Sequence, residues 1–182
     1  MSKYKFSLHL LLAASLAAGV FITGCKKDDN TTETENITKI VVHLTGITDP
    51  AFHGEFNWKD PDGDGGTTPT IDQIVLPANA SYHAEIEVYD ETKNPVEDVT
   101  EEIKAENKVH LFEYRSMLDA LTIGSLNTDD DGKPFGREST WTTTAAATGS
   151  LRILLHHDPT DKLAADPGGE IDFDVTFPVK VQ

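Results

Sequence analysis

Three side chains in the second half of the sequence have the donor types of a transition-metal site. His110 lies in the apolar stretch VHLFEYR, and His157 ends the stretch SLRILLHH. Two imidazoles and one carboxylate from neighbouring strands could hold zinc, copper or iron. Glu106, four residues before His110, is the predicted third ligand. The sequence does not show that the two strands are adjacent, so ordinary hydrogen-bonded histidines are the alternative.

Two acidic loops have the spacing of calcium ligands. In DPDGDGG the alternating carboxylates are Asp60, Asp62 and Asp64. Position twelve of that loop is Ile71, so the calcium pattern is incomplete there. NTDDDGKPFGRE matches the full spacing, with Asn127, Asp129, Asp131 and Glu138 as candidate ligands. Because strands and turn-forming Pro and Gly residues flank both loops, hairpin connections are the alternative interpretation.

The start of the chain has the features of a lipoprotein signal. Lys3 and Lys5 precede an apolar run over residues 6–22, which is typical of a secretory signal peptide; an uncleaved anchor is the alternative. Residues 22–25, ITGC, resemble the bacterial lipobox. We therefore expect residues 1–24 to be removed and Cys25 to be lipidated. Each buried acyl CH2 contributes about 0.8 kcal/mol to membrane binding, so several acyl chains make a strong anchor.

The residues after Cys25 are polar throughout. Residues 26–29, KKDD, resemble the export signal of Bacteroidota surface lipoproteins, although a solvated charged tether also explains them. Residues 25–36 are predicted to be the lipidated cysteine and a flexible acidic tether. The predicted location is the outer membrane, lipid-anchored and exposed at the cell surface, with a periplasm-facing arrangement as the alternative.

Residues 37–182 are predicted to form a single all-β domain. Apolar and polar residues alternate in KIVVHLTG, SYHAEIEVYD and EIDFDVTFPVKV, which is typical of half-buried antiparallel strands. In the last stretch Ile171 is predicted to face the core and Asp172 the solvent. About eight or nine strands predict an antiparallel β-sandwich of immunoglobulin-like or related topology. One short connecting helix is predicted over residues 96–107, from the helical spacing of Val96, Val99 and Ile103.

The composition argues against several classes of function. The chain has 31 acidic and 15 basic residues and a formal net charge of −16 at pH 7. Because that charge repels phosphate, nucleic-acid binding is not expected. Cys25 is the only cysteine, so disulfides, zinc–thiolate sites and cysteine nucleophiles are not expected after lipidation. The sequence has no G-x-S-x-G, H-E-x-x-H or glycine-rich phosphate loop, and no enzymatic activity is expected.

Several stretches taken together resemble a group of small Bacteroidota outer-membrane lipoproteins. They span nearly the whole mature chain: WKDPDGDGG, NPVEDVTEEI, VHLFEYR, STWTTT, SLRILLHHDP and GGEIDFDVTFPV. Members of the group often lie near TonB-dependent receptors, so the resemblance implies a role in uptake and a histidine at the position of His157. Some members carry the label "type 1 periplasmic binding fold". That fold needs two α/β lobes, which a chain of alternating strands does not supply.

Three functions from different classes follow from these features. The first is a non-catalytic ligand-binding accessory module of nutrient uptake, with a divalent metal ion as the ligand. The second is a structural or protein–protein interaction module that docks on an outer-membrane receptor. The third is carbohydrate binding through Trp58 or Trp141, with burial of both rings as the alternative. Metal binding requires His110 and His157 to lie within about 4–5 Å of each other, because metal–ligand bonds are about 2 Å long.

Overall fold

The computed structural model describes residues 35–63 and 66–182, which contain eleven strands and one short helix. The elements are β1 (Lys39–Gly46), β2 (His53–Lys59), β3 (Thr70–Ile71), β4 (Ile74–Leu76), β5 (Ser81–Asp90), β6 (Glu97–Asp98), α1 (Thr100–Ala105), β7 (His110–Ser116), β8 (Leu121–Gly124), β9 (Glu138–Thr143), β10 (Ala147–His157) and β11 (Glu170–Val181). The predicted all-β sandwich is confirmed. The strands outnumber the predicted eight or nine because β3, β4 and β6 have only two or three residues each.

The strands form two sheets. The larger sheet has seven strands in the order β3-β2-β1-β5-β9-β8, with β6 paired to β5. The smaller sheet has four strands in the order β4-β11-β10-β7. The pairing of β4 with β11 is parallel, whereas β7, β10 and β11 pair antiparallel. The three strands β7, β10 and β11 therefore lie side by side.

The core is formed by alternate residues of both sheets. In the larger sheet Ile40 of β1 lies opposite Val88 of β5, and both side chains are fully buried. In the smaller sheet Leu155 of β10 lies opposite Phe112 of β7, and these are also fully buried. Burial of each such side chain contributes about 1.5–3 kcal/mol. The alternation of apolar and polar residues in the sequence therefore identifies which side chains of these strands face the core.

A β-bulge interrupts the alternation near the start of β11. Leu155 pairs with Phe173 and His156 pairs with Ile171, so Asp172 is the extra residue on the bulged strand. The side chain of Asp172 is only 1% exposed, whereas Ile171 is 42% exposed. The predicted orientations of these two residues were wrong, because one inserted residue reverses the faces of those before it.

Helix α1 is shorter than the predicted 96–107. Residues Glu97–Asp98 pair with β5 as β6, and the helix spans only Thr100–Ala105, with Glu106 as its C-cap. Val99 and Ile103 are buried as the helical spacing predicted, whereas Val96 is 54% exposed. Within residues 35–63 and 66–182, no helix is long and apolar enough to cross a membrane.

Candidate metal centre

Strands β7 and β10 bring the two predicted histidine ligands together. His110 and His157 are direct cross-strand partners at the end of the smaller sheet. Their ring centroids are 4.6 Å apart, and the side chains are 0% and 10% exposed. They continue the core-facing row of Phe112 and Leu155, so both rings point into the end of the sandwich. The spatial condition for a shared metal ion is met.

Asp172 reaches the same place from β11. Its Oδ2 lies 3.6 Å from His110 Nε2, and its Oδ1 lies 3.8 Å from His157 Nδ1. The β-bulge is what turns this carboxylate inward, as bulges commonly do next to functional sites. Sequence analysis missed Asp172 because strict alternation assigned it to the solvent face.

Glu35 supplies a second carboxylate from the segment that precedes β1. Its Oε1 lies 3.1 Å from His110 Nε2, its Oε2 lies 3.8 Å from His157 Nδ1, and its side chain is 8% exposed. Downstream, Asn36 Nδ2 donates a hydrogen bond to Thr92 Oγ1 at 3.2 Å, and Thr38 N donates to Tyr89 O at 3.0 Å. Glu35 was predicted to lie in a flexible tether, so the folded domain begins at least two residues earlier than predicted.

Glu35, His110, His157 and Asp172 form what we call the four-residue cluster. One donor atom from each residue lies within 4.8 Å of the others. A tetrahedral ion with bonds of about 2.0–2.2 Å separates its donor atoms by about 3.3–3.6 Å. The four distances of 3.1 to 3.8 Å, which join one oxygen of each carboxylate to His110 and the other oxygen to His157, are close to that value. A small shift of the side chains would bring all four into bonding distance of one central ion.

The cluster holds several buried polar atoms that have no hydrogen-bond partner. They are Glu35 Oε2, His110 Nε2, His157 Nδ1 and both carboxylate oxygens of Asp172. Buried polar atoms in folded proteins are nearly always hydrogen-bonded, and each unsatisfied group costs about 1–3 kcal/mol. Five such atoms converge on one point, an arrangement that could hold a cation.

Comparison of the chain with protein-family models, with curated proteins and with solved structures gives no match.

The close packing of the cluster shifts the pKa values of Glu35, His110 and Asp172. Burial, with the nearby charge of Glu35, raises the pKa of Asp172 to about 7. Burial alone would raise the pKa of Glu35, but its interaction with His110 lowers it overall. Burial would likewise lower the pKa of His110, but the interaction with Glu35 raises it. Without a cation, the cluster therefore retains protons near neutral pH that a metal ion would displace.

Glu106 contributes through its main chain and not through its carboxylate. His110 Nδ1–H donates to the carbonyl oxygen of Glu106 at 3.1 Å, which leaves Nε2 free to face Asp172 and Glu35. Such a second bond fixes the tautomer and the ring orientation of a metal-binding histidine. The carboxylate of Glu106 is not part of the cluster, so the structure does not bring this predicted third ligand together with the two histidines. The helix ends before His110, and the i, i+4 relation does not extend across that boundary.

His156, next to His157, has a structural role. Its Nδ1 lies 2.9 Å from the carbonyl oxygen of Gly168, and its Nε2 lies 2.8 Å from Glu113 Oε2. It occupies the opposite face of β10 from His157, because successive side chains alternate along a strand. Only one of these two adjacent histidines is therefore in position to bind a metal ion in the cluster.

The first predicted calcium loop is a turn in the residues that can be described. Asp62 Oδ2 accepts a hydrogen bond from Thr67 N at 2.8 Å, and Asp60 N donates to Thr38 O at 2.8 Å. Asp64 lies outside the described residues. Both bonds stabilise the turn that connects the antiparallel strands β2 and β3, as the hairpin interpretation predicts.

In the second predicted calcium loop, protein groups occupy the candidate ligands. Asp129 accepts from Lys162 Nζ at 2.7 Å, and both side chains are buried. The oxygens of the other three candidates also contact protein donors: Asn127 with Glu138 N, Asp131 with Lys108, and Glu138 with Arg137. A lysine ammonium at Asp129 competes directly with a cation there. This loop is better explained as a turn held by a buried ion pair.

Replacing Asp129 with alanine is expected to destabilise the fold by about 2 kcal/mol, because it removes one of the two oxygen partners of the buried Lys162 ammonium. Asp130→Ala, at the exposed neighbouring position, is the matched control and should change stability by less than about 0.5 kcal/mol. Urea denaturation measures both. Stabilisation of the wild type by calcium that disappears in Asp129→Ala would instead support the calcium interpretation.

The remaining predicted sites are the lipidated Cys25 and the two candidate sugar-binding tryptophans. Cys25 and the signal peptide lie outside the described residues. Trp141 is fully buried and its Nε1–H donates to Ser139 Oγ at 2.9 Å, so its ring cannot stack on a sugar. Trp58 is half-buried against the core. The carbohydrate-binding hypothesis therefore loses one of its two candidate rings.

Proposed function

We propose that this protein binds one divalent transition-metal ion, zinc in the first instance, through the four-residue cluster. The observation that supports the proposal is the convergence of five buried, unsatisfied donor atoms on one point. In this proposal the protein is a non-catalytic lipoprotein that captures the metal for an uptake system of the outer membrane.

The donor set favours a divalent ion of intermediate softness. Two ionised carboxylates and two neutral imidazoles carry a charge of −2, so a divalent ion makes the buried cluster neutral. Imidazole nitrogen suits zinc, copper(II), nickel and iron(II), whereas copper(I) prefers thiolate or thioether ligands, which the cluster does not contain. Calcium prefers six to eight oxygen ligands. Zinc fits a compact cluster with four ligands best.

The burial of the cluster favours binding over catalysis. Catalytic zinc sites commonly have three protein ligands and keep one position open for water or substrate, whereas structural sites are closed by four ligands. Here four side chains converge, and each is at most 10% exposed. A closed site of this kind supports a role in holding a metal ion.

The predicted lipidation of Cys25 gives the cluster a position relative to the membrane. About ten residues separate Cys25 from Glu35, and an extended chain spans at most about 3.6 Å per residue. If Cys25 is the anchor, Glu35 lies within about 36 Å of the membrane surface. The metal would then be held close to any receptor in the same membrane.

The experiment that tests the proposal is zinc binding by the purified protein. Equilibrium dialysis should give one zinc ion per chain. At a free zinc concentration of 100 times Kd, the free energy of unfolding should rise by about 2.7 kcal/mol, because zinc binds only the folded state. The double variant His110→Ala/His157→Ala should lose both effects. His83→Ala, at an exposed position on β5, is the control and should keep them. Equal melting temperatures in EDTA and in excess zinc would contradict the proposal.

One observation favours a second candidate, in which the metal is structural and the sandwich is an interaction module that docks on an outer-membrane receptor. Glu35 precedes β1 of the larger sheet, whereas the other three ligands lie in the smaller sheet, so a bound ion would link the two. A structural ion should not be removable by a chelator without unfolding. Removal of zinc by EDTA with the circular dichroism spectrum unchanged would favour the uptake role.

A further inference from the structure

We infer that Glu35 is the exchange ligand of the four-residue cluster. In this inference, which rests on the proposed metal-binding function, His110, His157 and Asp172 hold the metal as a fixed platform. Glu35 closes the site, and its release opens one coordination position to a donor group of an acceptor molecule. The acceptor is a carboxylate or imidazole ligand that replaces Glu35, so that one metal–oxygen bond breaks as another bond forms.

The three platform ligands are fixed by the smaller sheet. His110 and His157 are cross-strand partners on β7 and β10, and Asp172 lies on β11, the other neighbour of β10. Antiparallel pairs run through all three strands on both sides of the bulge at Asp172, and the carbonyl of Glu106 orients the His110 ring. To move one of these ligands away from the metal, part of the sheet must be broken.

Glu35 is attached much less firmly. It precedes β1, and within residues 35–63 the first main-chain pairing with another strand is that of Thr38, three positions later. Between them the segment is held by the Asn36 side chain, which donates to Thr92 Oγ1, and by Ile37, which packs against the core. The rotation of a few backbone bonds between Glu35 and Thr38 is enough to withdraw the carboxylate. No strand pairing is lost in that movement, so Glu35 can leave at a much smaller free-energy cost than any platform ligand.

The opening of the cluster is on the side of Glu35. The side chains of Glu35 and His157 are 8% and 10% exposed, whereas those of His110 and Asp172 are 0% and 1% exposed. An incoming ligand would therefore approach from the side formed by Glu35 and His157. Without Glu35, two histidines and one carboxylate remain, which is the set that zinc sites with an exchangeable fourth ligand commonly use.

The test compares zinc release from the wild type, Glu35→Ala and Glu35→Gln. Each protein is loaded with one zinc ion and mixed with an excess of a chromophoric chelator, and the transfer rate is followed by stopped flow. Both Glu35 variants should still bind one zinc ion but release it about 10–100 times faster than the wild type. Glu97→Gln, at an exposed position on β6, is the matched control and should release zinc at the wild-type rate. Cobalt(II) gives a second readout, because loss of Glu35 should weaken the visible bands of a four-coordinate ion.

The outcomes separate this inference from the proposed function. If the wild type binds no zinc, both are overturned. If the wild type binds zinc and both Glu35 variants release it at the wild-type rate, only the exchange role of Glu35 is overturned. If both Glu35 variants fail to bind zinc at all, Glu35 is part of the platform, which overturns the inference and leaves metal binding intact.

Discussion

Asp172→Asn is expected to stabilise the metal-free protein at about pH 8 and to abolish its response to zinc. Burial and the charge of Glu35 raise the pKa of Asp172 to about 7, far above the value of 3.8 for a free carboxyl. At about pH 8 this carboxylate is therefore ionised in the folded protein at a free-energy cost that the unfolded chain does not have. Asparagine removes the charge and keeps nearly the same shape.

The size of the effect follows from the same shift. Each pKa unit corresponds to about 1.4 kcal/mol, so removal of the charge stabilises the metal-free fold by on the order of 4 kcal/mol at most. Urea denaturation of the EDTA-treated proteins measures this difference. Zinc titration of the same samples should show that the variant no longer gains stability, because an amide oxygen is a much weaker zinc ligand than a carboxylate.

Asp174→Asn is the matched control on the same strand. Asp174 lies two residues after Asp172 on the exposed face of β11, and it forms an exposed ion pair with Arg152. Loss of an exposed pair costs at most about 1 kcal/mol, so Asp174→Asn should be slightly destabilised and should keep the full zinc response. If Asp172→Asn instead destabilised the metal-free protein as much as a core mutation does, Asp172 would be a structural group without any metal to bind.

The opposite effects expected of Asp172→Asn on stability and on binding are those of a preformed site whose ligands are unfavourable without a metal ion. The fold holds two carboxylates and two imidazoles together although the carboxylates of Glu35 and Asp172 repel each other and several donor atoms have no hydrogen-bond partner. Sequences are expected to break local rules at functional sites and to recover the stability elsewhere. Here the broken rules are a bulge in β11 and a buried acid in the segment before β1.

The sequence predicted half of the cluster. His110 and His157 were identifiable because each lies at the end of an apolar strand, where a histidine is chemically conspicuous. Asp172 was assigned to the wrong face because period-two alternation cannot reveal a bulge. Glu35 was placed in the tether because its neighbours, TTETEN, are polar and give no periodic signal. Both missed ligands depend on contacts with residues far away in the chain.

The fold was predicted better than the loops. The all-β sandwich follows from strand alternation, which is a local property. The short helix was also predicted, but over a longer range of residues than the six it spans. The loop NTDDDGKPFGRE matched a calcium pattern in full, yet Lys162, 33 residues after Asp129, neutralises the central acid. A motif made of local spacing cannot show such a partner, because only tertiary packing brings it in.

The metal-free protein is expected to lose stability as the pH rises from about 4 to above 7. The pKa of Asp172 is raised in the folded state, so the folded protein binds more protons than the unfolded chain across that interval. The pKa of His110 is also raised, and its stabilising contribution is complete below 6.5 and is lost as the pH rises through its folded pKa. The pKa of Glu35 is lowered in the folded state, so the stability that its carboxylate contributes is lost only in acid, as the pH falls through that folded-state pKa.

Zinc should reverse this profile, and the reversal is the stronger test of the cluster. Metal binding requires every ligand to be deprotonated, so protons and zinc compete for the same atoms. The increase in melting temperature caused by a fixed zinc concentration should therefore be small at about pH 5.5 and large at about pH 8, while the EDTA-treated protein shows the opposite trend. Thermal denaturation at a series of pH values, with zinc or with EDTA, measures both trends. Asp172→Asn should flatten the EDTA profile and remove the zinc effect at every pH. A zinc-induced shift that did not change with pH would contradict binding at the four-residue cluster, because zinc must displace protons from those ligands.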